Sequence, residues 1–309
     1  MKLRSFAFIL VLTIAMLACS FSSPITAPVN QSNVGTVVAE TMQALTTPTA
    51  TTPTAEAPAL TGTVATPVTP TDAISISPVA STVPVIYQNV SFAIPSGLNI
   101  HTTPTTNTDV ELPFINPSNG PMPEHIVLLL DTYPLQGTAK IMVFKAPEYT
   151  GYSEMTQKIV TTLHTLQYQA GQPIPNGLKL GLFSAQARPL SFKNGQGLRF
   201  ITEILMGVAP ISNDQIFYYY QGITNDGAYF VSAVLPISSP FLASDGKSDS
   251  PIPSNGIPFP GYTNPNATAA EFNTYYSAVT EKLNTAAPDD YTPTLTALDK
   301  MIQSLQITP

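Results

Sequence analysis

The chain has no tryptophan, one cysteine and few charges, with Asp, Glu, Lys and Arg making up 10% of its 309 residues. The single cysteine, Cys19, can close no disulfide within the chain and has no second thiol to share a zinc ion with. Stability must therefore come from a packed core. The missing tryptophan removes the large flat side chain that sugar-binding surfaces commonly use. No Lys or Arg occurs between Arg4 and Lys140, which excludes a polybasic patch for anionic lipid in that stretch. No His-Glu-x-x-His spacing occurs, and His101, His125 and His164 are scattered, so no metal site is expected from the pattern. Acidic residues outnumber basic ones 19 to 12, which makes nucleic acid a poor partner.

What is present begins with a short basic start, Met1-Lys2-Leu3-Arg4, an apolar run from Phe6 to Met16, and Leu17-Ala18-Cys19. The run is too short for a membrane-spanning helix, which needs about 20 apolar residues. The arrangement resembles the signal peptide of bacterial lipoproteins. The resemblance implies that residues 1–18 are removed and that the Cys19 thiol carries a diacylglyceryl group. It further implies an acylated new amino terminus and a position on the extracytoplasmic face of a bacterial membrane. Without Lys2 and Arg4 the chain keeps ten basic residues against nineteen acidic ones, a net charge of −9. The expected membrane attachment is therefore the lipid itself, at about 0.8 kcal/mol per buried methylene.

Residues 19–84 are mostly Thr, Pro, Ala, Ser and Val, with Glu40, Glu56 and Asp72 as the only charges. Thr46-Thr47-Pro48-Thr49-Ala50 recurs at once as Thr51-Thr52-Pro53-Thr54-Ala55. Such a tract has too few large apolar side chains to offset chain entropy, and it reads as a disordered spacer. Val34 to Leu45, with Val38, Met42 and Leu45 at helical spacing, reads as a short fluctuating helix.

Residues 85–309 are long enough for one domain with a substantial core. Strands are expected at Val90–Ile94, His125–Leu130 and Ala139–Phe144, the last two nearly all apolar, as strands covered on both faces are. A polar, Pro-rich connection separates the first two. Tyr152, Met155, Ile159, Leu163 and Leu166 recur at spacings of three and four, which predicts a helix over residues 153–168. Four β-rich segments follow, at 182–192, 198–206, 215–224 and 228–235. Asn194-Gly195 and Asn225-Asp226-Gly227 lie between the members of each pair, where turns with positive φ close hairpins. Arg199, Ile201 and Glu203 fall on one face of the second segment. A segment without period runs from Pro236 to Asn266, and helices are expected at 268–283 and 295–305. The last buries Leu298, Met301, Ile302 and Leu305 and turns Asp299 and Lys300 outward.

The text Val90-Ser91-Phe92-Ala93-Ile94-Pro95-Ser96-Gly97 is similar to the opening strand of PsbP-like domains, and Leu298 to Leu305 looks like their final helix. Tyr220-Gln221-Gly222-Ile223-Thr224-Asn225-Asp226-Gly227 resembles a hairpin of secreted bacterial relatives. The resemblance implies an α+β fold, a central antiparallel sheet packed between helices as an α/β/α sandwich, and members that serve as accessory or assembly proteins. It transfers no binding residue.

The search for chemistry returns no catalytic residue, metal ligand or cofactor site. Ser153 lacks the second glycine of a nucleophile elbow. Asp245-Gly246-Lys247-Ser248-Asp249 has the wrong spacing for a helix-loop-helix calcium site. Asp289-Asp290 read as favourable charges at a helix start. Phe217-Tyr218-Tyr219-Tyr220 alternates between two strand faces and reads as core packing. The expectation is a lipid-anchored accessory or binding module whose partner, an envelope protein or ligand, is unknown. An exported hydrolase with an unrecognised site is the alternative.

Overall fold

The computed structural model describes residues 82–96, 98, 101–107, 120–204 and 207–309. The signal segment, Cys19, the helical island at 34–45 and all of the spacer before residue 82 lie outside the described residues. Among the described residues no helix is long and apolar enough to cross a membrane.

Seven strands form one antiparallel sheet: β3 (Thr102–Asn107), β4 (His125–Leu130), β5 (Lys140–Lys145), β6 (Ala185–Phe192), β7 (Gly195–Glu203), β8 (Ile216–Thr224) and β9 (Tyr229–Pro236). Their spatial order is β3-β4-β5-β9-β8-β7-β6. A second antiparallel sheet joins β1 (Val83–Tyr87), β2 (Val90–Ile94) and the closing β10 (Gln306–Ile307), with β2 in the middle. The helices are α1 (Ala146–Tyr152), α2 (Glu154–His164), α3 (Pro260–Thr263), α4 (Ala269–Thr285) and α5 (Leu295–Gln303), with a 3-10 turn at Pro288–Asp290.

The large sheet is covered on both faces, which is why β8 and β9 read as nearly unbroken apolar text. On one face Met142, Phe144, Leu198, Phe200 and Tyr219 pack with Ile159 and Leu163 of α2 and Tyr149 of α1. On the other face Ile141, Ile201, Tyr218 and Tyr220 pack with α4, α5 and the small sheet. The run from Phe217 to Tyr220 divides as its alternation requires, Phe217 and Tyr219 to the first core and Tyr218 and Tyr220 to the second.

Several elements depart from the sequence reading. The expected helix over 153–168 is two helices, because Ser153 leaves helical geometry and caps α2. Its Oγ accepts the Thr156 amide at 3.1 Å, while Thr156 Oγ1 accepts the Ser153 amide at 3.0 Å. Met155 is thereby turned away from the core and is 46% exposed. The polar connection holds β3, an edge strand tolerant of Pro104 because its outer side needs no donor. The hairpin that opens the domain starts at Val83, two residues before the compositional boundary. The aperiodic segment after Pro236 is packed: Ile237, Phe241, Leu242 and Phe259 all enter the second core. The β6–β7 hairpin closes without positive φ at Asn194 or Gly195. Gly195 is needed instead because a Cβ there would lie 2.0 Å from the Phe192 ring, whereas Gly227 does adopt φ +72°.

The largest correction concerns Asp299. Its side chain is not outward but 11% exposed and bound to Arg199, which is fully buried. Helical periodicity assigns Asp299 to the flank of an apolar stripe, and tertiary structure brings an arginine to meet it. Asp290, in turn, accepts the Ala287 amide of its own 3-10 turn, while the start of α5 is capped by Thr294.

Candidate functional site

Between the edge strand β6, the loop before it and the end of α4 lies an open cleft of about 640 Å³, within the range of small-molecule sites. Its wall, residues 168–184, is loop text held rigidly. Gln221 Nε2 donates to the Leu178 carbonyl at 3.1 Å, and Thr202 Oγ1 lies 3.0 Å and 2.9 Å from the carbonyls of Leu180 and Phe183. Gly177 packs so closely on α2 that a Cβ would meet Thr162 Oγ1 at 2.1 Å. Tyr168 closes the rim by donating its hydroxyl to the Gln172 carbonyl at 2.5 Å.

The opposite lip is a β-bulge. The β6–β7 register shifts between Ala185 and Arg188, and Gln186 sits at φ +54°, a region that non-glycine residues rarely occupy. Three bonds from its side-chain amide hold it there, to the carbonyls of Leu283 (2.9 Å), Asn284 (3.1 Å) and Ala286 (2.9 Å). They satisfy backbone acceptors that the C-terminus of α4 leaves open. Asn284 Oδ1 accepts the Gln186 amide at 2.6 Å, and the Gln186 carbonyl accepts from Arg199 Nη1. The lip is thus tied both to α4 and to the buried Arg199.

Lys179 and Arg188 bring positive charge to this cleft, and among the described residues no Asp or Glu lines it. Arg188 Nη1 is 3.7 Å from Asp299 and its side chain is 51% exposed. Lys179 is partly buried, and the loss of water around its ammonium pulls its pKa below the ordinary lysine value. Sequence reasoning passed over these residues, yet a signal for them exists. From Met155 to Thr202 the chain has no acidic residue and carries five of its twelve basic ones, in a protein whose net charge is −7.

Behind the lip lies a saturated ionic cluster. Arg199 Nε and Nη2 donate to the two oxygens of Asp299, each at 3.1 Å, and the Tyr218 hydroxyl donates to Oδ1 at 3.0 Å. Burial first, and the Asp299 charge second, push the Tyr218 phenol far above its usual range. The cluster binds α5 to the sheet, with Arg199 and Tyr218 fully buried and Asp299 nearly so.

Two further titratable groups, Glu203 and His125, are buried outside the cleft. Glu203, at the end of β7, is fully buried, and among the described residues neither carboxyl oxygen has a well-formed hydrogen bond. Desolvation raises its pKa to about 9, Asp214 adds to the rise, and the Ser212 backbone offsets only part of it, so the group is a neutral acid at pH 7. His125 is buried and stacked on Phe144 with ring centroids 4.1 Å apart. Its Nδ1 donates to the Pro123 carbonyl at 2.8 Å, and burial lowers its pKa, so it stays neutral. Neither forms part of a nucleophile and base pair. Ser153 is committed to capping, and His101 is exposed beside Asp131 at 3.6 Å. Asp245 pairs with Lys247 at 2.7 Å in a solvated loop. Among the described residues no group of three or more His, Cys, Asp or Glu is placed to hold a metal ion.

No protein-family model, curated protein or solved structure matches this chain.

Proposed function

We propose that the protein is an extracytoplasmic lipoprotein, anchored through Cys19, that displays a non-enzymatic binding module of PsbP-like architecture on a low-complexity stalk. The anchoring rests on the signal-like start and the Leu17-Ala18-Cys19 junction. The architecture is supported by an antiparallel sheet covered on both faces by helices. The observation that carries the binding role is the cleft beside β6, lined by Lys179 and Arg188, whose walls are preformed by side-chain to backbone bonds. A hydrolase would need a nucleophile within hydrogen-bond reach of a base, and Ser153, the serine closest to such a motif, spends its hydroxyl on the start of α2.

The anchoring is tested by metabolic labelling with a fatty acid. Cys19→Ser should abolish label incorporation and move the protein from the membrane fraction to the soluble one, with its thermal midpoint unchanged. Label that persists in Cys19→Ser defeats the lipoprotein reading.

A further inference from the structure

We infer that the cleft between β6, the 168–184 loop and α4 receives a small anion, a carboxylate or phosphate ester, borne on an apolar body, with Lys179 as its principal counter-ion and Arg188 at its rim. The inference rests on the binding-module reading and specifies its ligand.

Four observations converge on this chemistry. First, a partly desolvated ammonium normally has a carboxylate beside it, because moving charge out of water is costly unless a partner compensates. Among the described residues Lys179 forms no salt bridge, and its desolvation is felt as a lowered pKa. An anion in the cleft supplies the missing partner. Second, among the described residues the lining holds no acid, although acidic residues outnumber basic ones in the chain, so the local potential favours negative charge where the overall charge opposes it. Third, Ile174, Leu182 and Phe183 are among the apolar residues of the lining, Ile174 and Phe183 being largely buried, and they offer contact to a nonpolar body. Fourth, Gln186 is kept in a rare backbone conformation at the lip, and such strain is retained where surrounding bonds over-determine it. The amides of Gln172 and Asn176 also line the cleft and can donate to an anionic head group. A nucleic-acid backbone is disfavoured, since two cations in a chain of net charge −7 give little counter-ion release.

The experiment is equilibrium dialysis of the full chain held in lipid nanodiscs, with empty nanodiscs to correct for partitioning. The probes are 3-phenylpropionate, phenyl phosphate and the neutral 3-phenylpropanol. Both anions should bind saturably at one site, and the alcohol at least tenfold more weakly. A preference for phenyl phosphate points to a phosphate ester such as a lipid headgroup, and a preference for phenylpropionate to a free acid. Lys179→Met should weaken the anions about tenfold or more, while Lys179→Arg should stay within about threefold of wild type. Independently of any variant, bound anion should slow acylation of the Lys179 amine by an activated ester at least fivefold, read by peptide mass spectrometry, and leave exposed Lys300 unprotected. Equal binding of alcohol and anion overturns the assigned ligand class while leaving a binding module in place. Absence of saturation by either anion, or an unprotected Lys179, overturns the site itself, and neither result bears on the fatty-acid labelling of Cys19.

Discussion

Two buried carboxyl groups along one face of β7, one held against Arg199 at the middle of the strand and one on Glu203 at its end, have opposite fates. Asp299, reaching in from α5, meets a bidentate arginine and a tyrosine hydroxyl, and both of its oxygens accept hydrogen bonds. Glu203, four residues along the strand from Arg199, is more deeply buried than Asp299 and has neither a cation nor a well-formed hydrogen bond among the described residues. The first is an ion held by its partners. The second is kept in the interior by shedding its charge, since a proton costs less than an uncompensated anion in a medium of low dielectric. The difference teaches that burial alone does not set a carboxyl group's state. The ion pair also serves the candidate cleft, because the same Arg199 that holds Asp299 holds the Gln186 carbonyl at the lip.

The largest expected effect follows from removing the Asp299 carboxylate. Asp299→Ala leaves Arg199 buried and unpaired, and should cost about 3 to 5 kcal/mol of stability, read as a drop in the urea midpoint. A cost under about 1 kcal/mol would mean that water reaches the guanidinium.

The unsaturated end should respond in the other direction. The unfolded Glu203 loses its proton near 4.5 and the folded one near 9, so between these values the unfolded state binds fewer protons and stability falls as pH rises. Below about pH 4 both states are protonated and the penalty is absent. Glu203→Gln should therefore match wild type near pH 4 and exceed it by about 3 kcal/mol at pH 7, with the gap widening toward pH 9. Chemical denaturation across that range measures it, and parallel pH profiles for the two proteins would show that Glu203 is ionised in the fold.

The smallest effect sharpens the contrast by residue position. Lys300 follows Asp299 directly on α5 but is exposed. Lys300→Ala should change stability by no more than about half a kcal/mol, with a thermal midpoint close to wild type. A larger loss would place Lys300 in the ionic cluster after all.

Much of the architecture was legible before the structure. Strands at Val90–Ile94 and His125–Leu130 have their read boundaries, and the four strands from β6 to β9 lie within a few residues of theirs. Alternation and turn residues are local properties that the chain carries in plain view. β3 was missed because Thr102 to Asn107 is polar and interrupted by Pro104, and only pairing with the apolar β4 makes it a strand. The packed segment after Pro236 was missed because Phe241, Leu242 and Phe259 are spaced by no regular period. The cleft was missed because its residues are ordinary one by one. Their only sequence trace is the absence of acids from Met155 to Thr202, a charge bias that carries no geometry.

By itself the sequence determined the α+β class, the antiparallel hairpins, the division of the aromatic run between two cores and the stripe of α5 that packs inward. These follow from side-chain periodicity, which is the same in any tertiary context. Only the folded chain decided that Asp299 turns inward, that Glu203 stays neutral, and that Lys179, Gln186 and Arg188 share a cleft with Asn284 nearly a hundred residues away. Partnership between charges depends on distances through space, and a linear pattern specifies which face a residue takes but not what waits for it there.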